Sequence, residues 1–289
     1  LVRAPGLGGR FDQGRARKAL AHANARDRRT ARARARGHLL ALGRMAPDRR
    51  VDDERVAPHH AAHHGEIALG DCAVVKLSAE ILEEFAELIE TGAFVNGPAV
   101  ASFEEAFAAE TGVARCVGVS SGLDALRIGL IAARLERGEE VIGPAMTFVA
   151  TLEAVTQAGG VPVVADIQEA DLNLDPDAAA AAISDRTRFV LPVHLYGQLA
   201  DMRRLRSLGL PMIEDACQAH LATSAGKPVG TYGSGAGVSF YPTKNLGALG
   251  DGGAVITNEG TLAEKVKRLR NGGQSEKYRH VEFGVNSRL

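Results

Sequence analysis

Hydrophobic positions between Ser78 and Ile89 fall at Ile81, Leu82, Phe85, Leu88 and Ile89, the spacing of one helix face. A second helix is expected from about Pro98 to Glu110, where Phe103 and Phe107 repeat at i, i+4 behind a proline suited to a first turn. Beyond it, short apolar runs near 116–119, 139–142, 161–165, 188–192 and 211–214 alternate with helical stretches. That alternation predicts βαβ units in a largely parallel sheet. Later strands near 236–240 and 253–256 bracket Lys244, and a last amphipathic helix is expected over about 261–270. The predicted class is α/β, a mainly parallel mixed sheet flanked by helices.

Residues 1 to about 70 do not share this pattern. They are dominated by Ala, Arg, Gly and His, with alternating Ala31-Arg32-Ala33-Arg34-Ala35-Arg36 and hardly any apolar face, so disorder or a weak helix is expected. A basic arm for nucleic acid, an arginine-rich transit leader and an upstream or out-of-frame extension are the competing readings. His59, His60, His63 and His64 are spaced to share a helix face, but no cysteine or carboxylate completes a ligand set, so no metal is expected. The division is therefore 1–72, a basic Ala/Arg/His-rich segment, and 73–289, the folded domain.

Composition narrows the field without adding chemistry. With 289 residues, 45% of them hydrophobic, the chain can bury one large α/β core or two smaller domains. A net charge of −1 gives no general attraction to nucleic acid or membrane. Cys72, Cys116 and Cys217 have no paired spacing, which predicts a reduced, cytoplasmic setting and no disulfide frame. No apolar run approaches the ~20 residues of a spanning helix.

The candidate chemistry lies in three runs. Lys244 sits in SFYPTKNLGALGDGG (Ser239 to Gly253), where Gly247, Gly250, Gly252 and Gly253 permit close approach of backbone and ligand. A lysine fixed and partly desolvated there suits attack on an aldehyde; an ordinary surface lysine is the alternative. Upstream, Pro211-Met212-Ile213 reads as a strand that delivers Glu214 and Asp215 at its C-terminal end, the edge where open α/β sheets bind ligands. Asp215 is the candidate to hold a pyridine nitrogen protonated, and Glu214 reads better as a helix cap. Earlier, Val117-Gly118-Val119 runs into Ser120-Ser121-Gly122 and a helix patterned on Leu123, Leu126, Ile128 and Leu130. Its free N–H groups would form an anion site, although Ser-Ser-Gly is also a common helix cap. Gly233-Ser234-Gly235-Ala236-Gly237 precedes a strand and not a helix, the wrong context for a dinucleotide loop.

Taken in order, these runs resemble the DegT/DnrJ/EryC1/StrS family of sugar aminotransferases. Also in the match are Gly97-Pro98 with Phe103-Glu104, Gly143 to Thr151, LPVHLYGQLADM (Leu191 to Met202), IEDACQAH and Asn286-Ser287-Arg288-Leu289, so it covers roughly Val75 to Leu289. The resemblance implies the aspartate aminotransferase-like fold of pyridoxal 5'-phosphate enzymes. It makes Lys244 the lysine that bonds the cofactor aldehyde and then shuttles a proton, and Asp215 the partner of the pyridine nitrogen. Gln218 would contact the ring hydroxyl, and Phe148 would stack on the ring, against the alternative that it is plain core. The backbone N–H groups of Gly122 and Leu123 and the Ser239 hydroxyl would hold the phosphate, with Asn286 supplied by a second subunit. The family usually carries a hydroxyl residue at the place of Leu123, so one side-chain bond is lost. His194 and Tyr196 could line the site, with a structural role the alternative for the histidine.

The implied reaction is ping-pong transfer of an amino group from glutamate or glutamine to a nucleotide-linked keto-sugar or related cyclitol, in a homodimer. Lysine at 244 argues against the branch of the family that carries histidine there and dehydrates sugars. The absent initiator Met and the start of the resemblance near Val75 favour an extension as the reading of the first segment. The family's small C-terminal domain is not in the sequence, so a catalytically inactive or regulatory member that binds the cofactor is the alternative.

Overall fold

The computed structural model describes residues 78–289. The arginine-rich run, the histidine array and Cys72 lie outside the described residues. The helices α1 (Ser78–Thr91) and α2 (Pro98–Thr111) come first, then β1 (Arg115–Val119), α3 (Gly122–Ala132), β2 (Glu140–Pro144), α4 (Val149–Gln157) and β3 (Val161–Ala165). After these follow α5 (Pro176–Ala181), β4 (Thr187–Val190), α6 (Met202–Arg206), β5 (Ile213–Asp215), a small hairpin of β6 (Thr223–Ser224) and β7 (Lys227–Pro228), β8 (Gly235–Ser239), β9 (Gly253–Thr257) and α7 (Gly260–Arg270). A second hairpin, β10 (Gln274–Glu276) with β11 (Arg279–His280), closes the order.

Two ladders, β1-β9-β8-β5 and β3-β2-β4, make up the main sheet. They are joined where the chain beyond β4 runs parallel to β5, with bridges Val190 to Met212 and Val193 to Asp215. Pro192 has no N–H to continue a regular ladder there, but its carbonyl accepts from Asp215 N at 2.8 Å. All pairings are parallel except those of β9, which runs antiparallel to both β1 and β8.

Alternation along the strands feeds two faces. Cys116, Ala236, Val238, Ala254 and Ile256 meet Phe107 and Ala108 of α2 on one side, while Val117, Val119 and Val255 meet Ala125, Ile128, Leu262, Ala263 and Val266 of α3 and α7 on the other. Phe103, Phe107 and Phe240 pack as rings 5.2–5.7 Å apart. Such pairs contribute about 0.5–1.5 kcal/mol each beyond the area buried. α2 begins at Pro98 and ends on Gly112, whose φ of 76° only glycine adopts freely. Glu104 then ties the layers: it accepts from Gly118 N at 2.8 Å and pairs with Arg270, which itself donates to Gly118 O at 2.6 Å.

Helix and strand positions agree with the sequence reading within a few residues. The five-residue and six-residue helices and the two hairpins were not foreseen, because segments this short carry no readable period.

Candidate active site

The three runs meet at one edge of the sheet. Val119 and Ser239, the last residues of β1 and β8, both pair with Gly253, the first residue of β9, and Asp215 ends β5 beside Gly237. A strand reversed between two parallel neighbours thus aligns their C-terminal ends in one row.

Gly122 is where two of the runs touch. A Cβ on it would lie 2.6 Å from Ser239 Cβ and 2.9 Å from Cys217 Sγ, so no larger residue fits without displacement. Gly253 is pressed in the same way, a Cβ there coming 2.2 Å from Ser121 O. Ser121 caps α3, accepting from Asp124 N at 3.1 Å, and Ala125 N–H donates to Ser121 O. The Gly122 and Leu123 N–H groups have no acceptor among the described residues. With the buried Ser239 hydroxyl against this helix start, they form a cradle that fits a phosphate group. Leu123 turns its side chain into the core.

Asp215 is 5% exposed and held from two sides. Thr151 Oγ1, in the first turn of α4, donates to Oδ2 at 2.7 Å, and Cys217 N donates to Oδ1 at 3.1 Å. Thr147 Oγ1 lies 2.7 Å from Thr151 Oγ1. Phe148, the N-cap of α4, is 70% exposed, so it is not core; it stands one turn before Thr151 with its ring free to cover a ligand. Gln218 accepts from Tyr196 N through Oε1 at 3.1 Å, which leaves its amide hydrogens to donate.

Lys244 lies in a loop closed at both ends, by Ala248 N to Phe240 O and Lys244 N to Tyr241 O, each 2.8 Å. It is half-buried. Its charge reaches Cys217 and His220, in each case favouring loss of the proton. The net shift of the Cys217 thiol is nevertheless strongly upward, because burial and the adjacent Asp215 carboxylate disfavour a thiolate. His220, packed against Phe107 and Phe240, donates from Nε2 to Ser239 O at 2.7 Å, and burial holds its pKa below the ordinary value. This histidine, Thr151 and Cys217 escaped the sequence reading; the only signal was their place inside the matched runs.

Two expectations change. Glu214 is no helix cap: fully buried, it accepts from Gly230, Tyr232 and Gly233 N–H at 2.9–3.0 Å and lies 3.0 Å from His194 Nε2. His194 is therefore structural and not site-lining, with Ala200 N donating to its Nδ1 at 3.3 Å. Tyr196 is exposed, in the left-handed region at φ 56°. Asn286 is exposed, while its neighbour Ser287 is buried and accepts from Ser120 N at 3.1 Å. No group of metal-ligating side chains occurs among the described residues.

A dTDP-3-amino-3,4,6-trideoxy-alpha-D-glucose transaminase of Streptomyces venezuelae is 45% identical over 221 residues, 75% of this chain and 58% of that protein. The erythromycin biosynthesis sensory transduction protein EryC1 of Saccharopolyspora erythraea is 44% identical over 221 residues, 75% of this chain and 60% of that protein. Among solved structures, S. venezuelae DesV in complex with a ketimine intermediate superposes with TM-score 0.73 at 45% identity, over 75% of this chain and 60% of that one. The chain thus spans less than two thirds of the length of these relatives. The family pattern itself matches residues 75–289, and the chain belongs to the DegT/DnrJ/EryC1/StrS aminotransferase family.

Proposed function

We propose that the chain carries the cofactor-binding domain, residues 73–289, of a pyridoxal phosphate-dependent enzyme that moves an amino group from glutamate or glutamine to a nucleotide-linked keto-sugar or related cyclitol. The observation that carries this reading is the row of strand ends that brings Gly122, Ser239 and Asp215 to one sheet edge, with Lys244 in the loop that follows β8. Similarity to a dTDP-sugar transaminase supports the substrate class.

When bound, the cofactor supplies an electron sink for the negative charge left on a carbon that loses its proton. The α3 N-terminus and Ser239 would bind the phosphate. Asp215, pinned by Thr151 and Cys217, would hold a proton at the ring nitrogen. Phe148 would cover one face of the ring, and Gln218 would donate to the ring hydroxyl. Lys244 Nζ would hold the cofactor at its aldehyde carbon and, when free, would be the base that takes a proton from the donor and returns it beside that carbon, the same residue serving the keto-sugar in the opposite direction.

A homodimer is part of the proposal. Leu82, Phe85 and Ile89 form an exposed apolar stripe on α1, continued by exposed Phe94 and Val95, and Asn286, whose backbone bridges to Asn271, is exposed where a second subunit could meet it. No helix among the described residues is long and apolar enough to cross a membrane, and the free thiols of Cys116 and Cys217 suit a cytoplasmic setting.

Borohydride treatment of the protein with pyridoxal phosphate should fix the cofactor to Lys244, read by peptide mass. Label on another lysine, or no uptake by folded protein, would overturn the assignment. Label without amine transfer from glutamate or glutamine would favour the alternative, a regulatory member that binds the cofactor without turnover.

A further inference from the structure

Thr91, Thr111 and Thr156 return their hydroxyl protons to their own helices, to Glu87 O, Phe107 O and Leu152 O at 2.8–3.1 Å. Thr151 does not. It is 2% exposed, and its hydroxyl crosses from α4 to the end of β5 to reach Asp215 Oδ2. We propose that Thr147 and Thr151 form a one-way hydroxyl relay that fixes the Asp215 carboxylate and so sets the protonation of the ring nitrogen it holds. The proposal rests on the cofactor reading above.

The direction follows from proton counting. An ionised carboxylate only accepts, so the single Thr151 proton goes to Asp215. Thr151 Oγ1 can then only accept from Thr147, whose hydroxyl lies 2.7 Å away. The Cys217 N–H occupies the other carboxylate oxygen. Donors from two elements therefore clamp both oxygens, and the carboxylate cannot turn about its last bond without losing one. The Cys217 thiol also lies against this carboxylate, whose remaining lone-pair capacity can take a ligand N–H in a plane chosen by the protein. Because Thr151 N–H also donates to Phe148 O at 3.0 Å, the residue that would cover the ring and the one that aims its acid share a single helical turn. Threonine is needed for its proton, and its methyl is dispensable. Thr151 is a positioning residue: it acts on the cofactor only through Asp215.

The test loads the full chain with pyridoxal phosphate carrying nitrogen-15 in the ring and reads that nucleus by NMR, which reports protonation directly and needs no turnover. Wild type should give a protonated signal, and Asp215→Asn should lose it. Thr151→Val, nearly isosteric but without a proton to give, should move the signal part of the way toward the unprotonated position; Thr151→Ser should restore it, and Thr147→Val should give a smaller shift. The donor half-reaction should slow by about 10- to 100-fold in Thr151→Val, the scale of one hydrogen bond to a charged group. A wild-type signal in Thr151→Val, or Thr151→Ser matching Thr151→Val, overturns the relay while leaving Asp215 in its role. If Thr151→Val fails to fold by circular dichroism, an unshifted signal in partly exposed Thr147→Val overturns the relay instead. If wild type binds no cofactor, or its signal ignores Asp215→Asn, the cofactor reading falls and the relay falls with it.

Discussion

Replacing Gly122 by alanine and Gly129 by alanine makes the same chemical change twice in one helix, with opposite expected signs. At Gly129 the new Cβ would stand 3.8 Å from Ile213 Cγ2, an ordinary contact, so only the backbone matters. Alanine in a helix interior is favoured over glycine by about 0.8–1 kcal/mol, a rise in Tm of roughly 2–4 °C for a chain of this size. At Gly122 the new Cβ would fall 2.6 Å from Ser239 Cβ, 2.9 Å from Cys217 Sγ and 3.1 Å from Ser239 Oγ, and these belong to short side chains on fixed backbone. The φ of Gly122 is not in the left-handed region, so the penalty is steric alone. Overpacking of this kind costs about 1–3 kcal/mol, a fall in Tm of roughly 2–12 °C. It would also push Ser239 out of the proposed phosphate cradle, so cofactor affinity should drop by about tenfold or more, one charge-assisted hydrogen bond being lost. Thermal melts of apoprotein and absorbance titration with pyridoxal phosphate read the two effects separately. Wild-type affinity in Gly122→Ala, or equal destabilisation by both substitutions, would refute the reasoning.

Further outcomes follow from other buried groups. Glu214→Ala leaves three backbone N–H groups and His194 unpaired in the interior, so it should destabilise by more than about 3 kcal/mol in a urea melt, with Glu214→Gln costing less because one amide oxygen still accepts. The depressed pKa of His220 means that the unfolded chain takes up its proton near the ordinary 6.5 while the folded chain resists. Its contribution to stability is thus complete above that pH and is lost as pH falls through the folded value; His220→Gln should flatten the slope below 6.5 in melts recorded between pH 7.5 and 5. Cys217 should resist iodoacetamide at pH 8 in the folded state and react on unfolding, since burial and Asp215 oppose its thiolate; rapid labelling by mass spectrometry would contradict this.

Much of this site was readable from residue order because its parts lie at strand ends, where an apolar run meets a polar or glycine-rich one. Asp215, Lys244 and Gly122 stand out as candidates in that way, whereas Ser239 enters only through the resemblance. Glu214 was misread although the rule that corrects it is simple: successive residues of a strand face opposite sides, so Glu214 and Asp215 could not serve the same surface. Thr151 was less accessible. Its role depends on α4 meeting β5, a contact between residues 64 positions apart that no local pattern encodes. Phe148 was legible only through resemblance, because a phenylalanine beside a valine looks the same in sequence whether it is buried or bare.

The placement of β9 has a consequence for how the chain is made. Among the described residues, β1 finds its strand neighbour in residues 253–257, and so does one side of β8. While synthesis proceeds, the first of these strands must therefore wait, without a strand partner, until most of the domain has emerged from the ribosome. Pairings so distant in sequence are slow to form. Unpaired strands are also templates for association between chains. The inserted strand that lines up the site is thus the last piece of the sheet to arrive, and truncation upstream of residue 253 should give aggregation in place of a smaller folded product.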